Sequence, residues 1–155
     1  MGRRFDFSTV ENLLAEPGGV AETIEVAHFW DGIEPTYRAL KKALSPLADQ
    51  VLGHFSHAYP QGTSLYIILL GRAPDAGAAE ARLTQIWRVA MEVALSEGAA
   101  ISHHHGVGLA RLPYIRRNLG SSMEVLERVK TALDPAGIMS PGKLDLPDRH
   151  GQASS

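Results

Sequence analysis

The chain contains no cysteine. Disulfide staples and thiolate metal sites are therefore excluded, and stability has to come from a packed core. Long apolar runs are also missing. The longest, Leu65 to Leu70, is strand-sized and far short of the roughly 20 residues of a membrane-crossing helix. No charge of one sign dominates. The net charge of -2 leaves out the basic footprint of a protein that binds nucleic acid or an anionic membrane. The basic stretch from Arg111 to Arg117 is too short and local to supply one. The opening Met1-Gly2-Arg3-Arg4-Phe5 has basic residues but no apolar segment behind them, unlike a secretory signal. A cytoplasmic location is the expectation, and there is no repeat or low-complexity block.

The 155 residues, 45% of them hydrophobic, are enough for one domain with a sizeable core. Residues 1–21 read as an irregular or short helical lead-in closed by Pro17-Gly18-Gly19, residues 22–146 as the domain, and residues 147–155 as a flexible polar tail. From Glu22 to Phe29 the residues alternate, with Ile24, Val26 and His28 on one face and Thr23, Glu25 and Ala27 on the other, as in a half-buried strand. Asp31 to Leu44 predicts a helix with Ile33, Tyr37, Leu40 and Leu44 on one stripe, Pro35 in its first turn, and Asp31 or Glu34 as cap. Val51–Ala58 and Ser64–Leu70 predict a hairpin around Tyr59-Pro60-Gln61-Gly62-Thr63. Asp75 to Glu97 predicts the longest helix, with Leu83, Ile86 or Trp87, Ala90 and Ala94 buried and Gly98 ending it. Ala99 to His103 predicts a short strand.

That order is the split βαβ, ferredoxin-like α+β plan: an antiparallel sheet with both helices on one face and the other face needing a partner. Extra helices follow at Leu112–Leu119 and Ser121–Leu133. The second opens on a Ser121-x-x-Glu124 capping box and aligns Leu126, Val129 and Leu133. Ile138 to Leu146 reads as extended. Trp30 and Trp87 read as core or interface anchors.

The segment Ser102-His103-His104-His105-Gly106-Val107-Gly108 carries the densest chemistry. Three readings stand. In an extended run His103 and His105 project to one side and could ligate a metal, but no nearby Asp or Glu is spaced to join them. Histidine titrates near neutrality, so the run could do acid–base work on a substrate. The third reading is hydrogen-bonded loop histidines with no catalytic role. Gly106 and Gly108 allow a tight turn or close backbone approach. Tyr66 is either a sheet-face tyrosine or a phenol aimed at a site beside the histidines, and His57 is structural or joins that face. Arg111, Arg116 and Arg117 could hold an anion or form a solvated turn.

These motifs resemble a known family. Ser102 to Gly108, then Arg111, then Ala132-Leu133-Asp134-Pro135-Ala136-Gly137-Ile138-Met139-Ser140-Pro141-Gly142-Lys143-Leu144 is similar to the C-terminal lobe of FAD-linked oxidases of the vanillyl-alcohol-oxidase type. His-His-His-Gly-Val-Gly resembles the alkylglycerone-phosphate (alkyldihydroxyacetonephosphate) synthase branch. The D-lactate dehydrogenase and glycolate oxidase branch shows Glu-His-Gly there. Ala21 to Glu25 with Trp30, and Phe55 to Tyr59 followed by Ser64-Leu65-Tyr66, extend the resemblance over nearly the whole chain.

The resemblance implies FAD, bound mainly by a separate domain or subunit, with this lobe covering the reactive face of the ring and binding a lipid-like or phosphate-bearing small molecule. In the synthase branch the flavin acts without net redox while a fatty acid leaves and a fatty alcohol enters, giving an ether-lipid precursor. The resemblance assigns catalysis to Tyr66, His103, His104 and His105, substrate contacts to Arg111 and His57, and cofactor contacts to Gly106, Ser140 and Lys143, with no metal. Two departures stand out. Thr9-Val10-Glu11-Asn12 occupies the place of the family's Tyr-Leu-Arg-Asp, which reverses a charge, and Ser140 replaces the asparagine of Asn-Pro-Gly-Lys. A pyrophosphate-gripping domain would add on the order of 150–200 residues. The expectation is thus a fragment or a subunit, inactive alone and prone to self-association through its open face. The alternatives are a lobe of a flavin 2-hydroxy-acid dehydrogenase and a non-catalytic binding or assembly module.

Overall fold

The structure, a computed structural model, describes residues 8–147. The expected flexible tail beyond residue 147 and the first seven residues of the lead-in lie outside them. The chain forms two compact units, Met1–His103 and His104–Ser155.

The first unit contains helix α1 (Ser8–Leu14), strand β1 (Gly19–Phe29), helix α2 (Trp30–Leu44), a short 3-10 turn (Ser45–Leu47), strands β2 (Gln50–Ser56) and β3 (Gly62–Arg72), and helix α3 (Ala76–Ser96). The sheet is antiparallel, in the order β1-β3-β2. Its most apolar segment occupies the centre, where both edges of the strand are paired. Leu65, Ile67 and Leu69 are fully buried on one face of β3, and Ile24 and Val26 of β1 lie opposite Ile67 and Leu65.

The two long helices cover that face. Ile33, Leu40 and Leu44 of α2 and Ile86, Ala90, Met91 and Ala94 of α3 supply the other side of the core. Tyr37 packs edge-on against Phe55 instead of entering the core. A side chain at Gly53 would meet the Tyr37 ring at 2.4 Å, so glycine there is what lets α2 close on β2. Trp87 donates from Nε1 to Glu22 at 3.0 Å, tying α3 to β1. Trp30, expected as an anchor, is half exposed, and its Nε1 donates to the Tyr59 carbonyl at 2.9 Å. Helix α2 starts one residue earlier than expected, behind Phe29, and neither Asp31 nor Glu34 caps it. Gly98 does end α3, at φ +76°, as its position suggested.

The expected strand from Ala99 to His103 is reduced to a single bridge, Ala27 with Ala100. It lies on the outer edge of β1, where the fourth strand of the split βαβ plan belongs. The ladder stops because the His103 N–H turns to the Glu25 carboxylate. A side chain takes the donor that a longer strand would have given to the backbone.

The second unit contains α4 (Leu112–Leu119) and α5 (Ser122–Leu133). Ser121 makes no side-chain cap. Its backbone is already helical, so the hydroxyl cannot reach the orphan N–H groups, and Glu124 pairs with Arg128. The expected stripe is not a buried one: Val129 is 48% and Leu133 77% exposed, while Met123 is buried. Ile138 to Leu146 is a run of turns, with Ser140, Leu144 and Asp145 in the left-handed region. Two anchors bend it. Arg116, expected in a solvated turn, binds Asp145 at 2.7 Å and Glu127 at 2.9 Å. The buried Asp134 carboxylate accepts the N–H groups of Ile138 (3.1 Å) and Met139 (2.9 Å) and pairs with Lys130, which also donates to the Met139 carbonyl.

Lys130 and these N–H groups lower Asp134 from 3.8 to about 2. A carboxyl with a depressed native pKa adds stability above its unfolded value and loses it as pH falls through the native one. Asp134→Asn should therefore melt several degrees below the wild type at neutral pH. The gap should close between about pH 4 and pH 2, as followed by thermal denaturation across that range.

Candidate active site

In the register of the sheet, Glu25 of β1 and His54 of β2 both lie directly opposite Tyr66 of β3. Directly opposed residues project to the same side, so the three form one row on the face that α2 and α3 leave uncovered. The ring centroids of His54 and Tyr66 are 5.8 Å apart. His57 follows β2 with φ +48°, and this left-handed turn breaks the strand alternation that would have sent it toward Phe55. Its ring comes within 6.5 Å of Tyr66 and 6.1 Å of His103. Tyr59 is 5.5 Å from His103 on the other side.

Ser64 orients His57. Its hydroxyl donates to the Ser56 carbonyl at 2.8 Å and lies 3.3 Å from His57 Nδ1. With the serine proton committed, Nδ1 is the donor of that pair, and Nε2 is the basic nitrogen of the neutral ring.

Glu25 is completely buried. Both of its oxygens accept the His103 N–H at 3.1 Å, and His103 Nδ1 is 3.9 Å away. Burial, and then the negative charge of Glu25, push the Tyr66 phenol above its usual range. Tyr66 therefore keeps its proton throughout the neutral range and is equipped to donate it.

Beside this cluster, where β1 ends and β3 begins, lies a largely apolar cleft of about 300 Å³. Phe29, Tyr59, Thr63, Ala100 and His103 line it, with His28 held at its wall by a 3.0 Å bond from Nε2 to the Glu97 carbonyl. His103 and Tyr59 thus belong to both the ring cluster and the cleft.

Of the residues expected at a site, the structure brings Tyr66, His57 and His103 together in the first unit. His104, His105, Gly106, Arg111, Ser140 and Lys143 lie in the second. Residues 101–105 run through bends, so the picture of His103 and His105 projecting from one extended segment does not hold. His104 and His105 stack edge-on at 4.6 Å. Arg111 is only 6% exposed and donates to the Gly106 carbonyl at 3.2 Å, closing the turn after the histidines. Gly106 is at φ +77°, with open space among the described residues where a side chain would start. Ser140 and Lys143 line a second cleft, of about 260 Å³, with Lys130, Asp134 and Leu144. Sequence reasoning missed Glu25, His54 and Tyr59. The one available signal was a glutamate on the polar face of an otherwise neutral strand centre.

The sheet face opposite α2 and α3 thus carries a phenol among imidazoles. Over residues 1–144 the sequence matches the family of FAD linked oxidases, C-terminal domain, and the chain belongs to that family. Among curated proteins it is 27% identical over 149 residues to alkyldihydroxyacetonephosphate synthase of Trypanosoma brucei brucei, covering 92% of this chain and 24% of that one. It is 28% identical to the uncharacterized FAD-linked oxidoreductase YgcU of Escherichia coli K12 (84% and 29% covered). It is 29% identical to a D-lactate dehydrogenase of Anaerostipes hadrus (85% and 26%). The chain spans about a quarter of the length of these relatives.

FAD is the cofactor this family uses, and the residues here fit one part of it. Tyr66, the imidazoles and apolar Ile68 and Leu52 offer a flat ring both proton-bearing and apolar contacts. The pyrophosphate fits less well in this unit: α3 starts at the Asp75 cap and α2 has Asp31 in its first turn, and acidic residues disfavour an anion at a helix start.

Proposed function

We propose that the chain is the substrate-side lobe of an FAD-dependent enzyme that exchanges the acyl group of an acyl glycerone phosphate for an alkyl group, an ether-lipid reaction, with an FAD-binding domain or subunit completing the site. The row of Glu25, Tyr66 and His54, flanked by His57 and His103, carries this reading. The triple histidine, where the dehydrogenase branch has Glu-His-Gly, favours the synthase reaction, and the synthase relatives agree with it.

When bound, FAD supplies a ring that takes up and returns an electron pair at the reacting carbon. The acyl group leaves as a carboxylate, and the entering alcohol gives up its hydroxyl proton to an imidazole of His103, His104 or His105. Tyr66 holds the second proton, at the substrate oxygen. His57 binds substrate through Nε2, and Arg111 offers its charge to the anionic end while holding the turn. Gly106, Ser140 and Lys143 are assigned the cofactor contacts. The apolar cleft beside His103 suits the aliphatic part of the substrate.

D-lactate dehydrogenases among the relatives favour a second reading, oxidation of a 2-hydroxy acid. The flavoenzyme bearing this lobe separates the two. Labelled fatty alcohol entering acyl glycerone phosphate, with no lasting loss of flavin absorbance, is the expected result. Bleaching of the flavin by D-lactate would replace it with the second reading. Failure of both would leave a binding or assembly module.

A further inference from the structure

Glu25 is unexplained by the roles above. A fully buried carboxylate is costly to desolvate, and accepting one backbone N–H, as it does from His103, needs only a neutral amide. What a neutral group could not supply is a fixed negative charge between a phenol and an imidazole. On that geometry, and resting on the proposed reading of the site, we propose that Glu25 is its positioning residue: its charge pins His103 against β1 and keeps the proton on Tyr66.

The groups facing this pair define the balance. Glu25 comes from β1, Tyr66 from β3, His54 from β2, His57 and Tyr59 from the loop between β2 and β3, and His103 from the end of the unit. Glu25 is the only carboxylate among them. It opposes ionisation of the phenol. The direction already noted for Tyr66 agrees with this.

The test is an NMR titration of the Tyr66 ring in the whole chain, for wild type, Glu25→Gln and Glu25→Asp. Glutamine keeps an oxygen for the His103 N–H and removes the charge. The Tyr66 titration should fall by about one pH unit or more in Glu25→Gln and stay near wild type in Glu25→Asp. Unmoved titrations in folded Glu25→Gln would overturn the proposal and leave Glu25 a structural acceptor. Equal shifts in both variants would also overturn it, because geometry and not charge would then be responsible. If Glu25→Gln does not fold, Glu25→Thr, a neutral residue suited to a strand, takes its place: a lowered Tyr66 titration upholds the proposal, and an unmoved one overturns it. Turnover does not enter these readouts, so a failed assay for acyl exchange would sink the proposed reaction without touching this result.

Discussion

Tyr66→Phe in the flavoenzyme bearing this lobe is expected to lower kcat by about a hundredfold to ten-thousandfold, the usual worth of a positioned proton donor. KM should move little, and the thermal midpoint less still. The substitution keeps the ring that packs beside His54 and His57 and deletes only the hydroxyl. A phenol pushed upward by burial and by Glu25 also predicts the shape of the pH profile. Rate should hold through the ordinary tyrosine range and fall only above it, and that basic limb should vanish in the variant. Steady-state kinetics of both forms across pH checks this. A variant within a few-fold of wild type would remove Tyr66 from the chemistry.

The next residue along β3 should behave in the opposite way. Ile67 projects to the other face, fully buried, with Ile24 directly opposite on β1. Ile67→Ala leaves a cavity in the middle of the central strand, where the backbone is held on both edges and cannot collapse to fill it. The expected loss is about 2–5 kcal/mol, or on the order of 10 °C in melting temperature for a chain of this size. Urea denaturation should show a lower midpoint with an unchanged slope. Per folded molecule, activity should stay close to wild type. A loss under about 1 kcal/mol would mean that the helix-covered face is not the core. Two neighbouring residues thus separate function from stability because a strand turns alternate side chains to opposite sides.

That alternation is also what made the fold readable in advance. The faces of β1, the buried segment Leu65–Leu70, the stripes of α2 and α3 and the end of α3 at Gly98 follow from local periodicity and glycine chemistry. The features that escaped each depend on a partner distant in sequence. The fourth strand gives way because the Glu25 side chain captures the His103 N–H. The C-terminal segment curls because Asp134 and Arg116 seize its backbone and Asp145. The site divides the same way. Tyr66, His57 and His103 stood out by residue type. Glu25 and His54 did not, because which residues oppose Tyr66 is fixed by strand register, and no single strand's pattern states its register. His57 reached the site by leaving the strand conformation, where counting by twos sends it to the wrong face.

The order of the sheet has a consequence for how the site comes into being. Tyr66 and His54 sit on the two arms of one tight hairpin, and a short loop closes cheaply and early. Glu25 belongs to β1, which must find β3 across an intervening helix and the other strand. A nascent chain whose hairpin has formed but whose first strand has not docked holds the phenol beside one imidazole in water, with no buried charge nearby. Docking of β1 on β3 dries the carboxylate and brings it against the phenol. The charge that bears on Tyr66 thus arrives with the long-range pairing of β1, separately from the hairpin that carries the phenol.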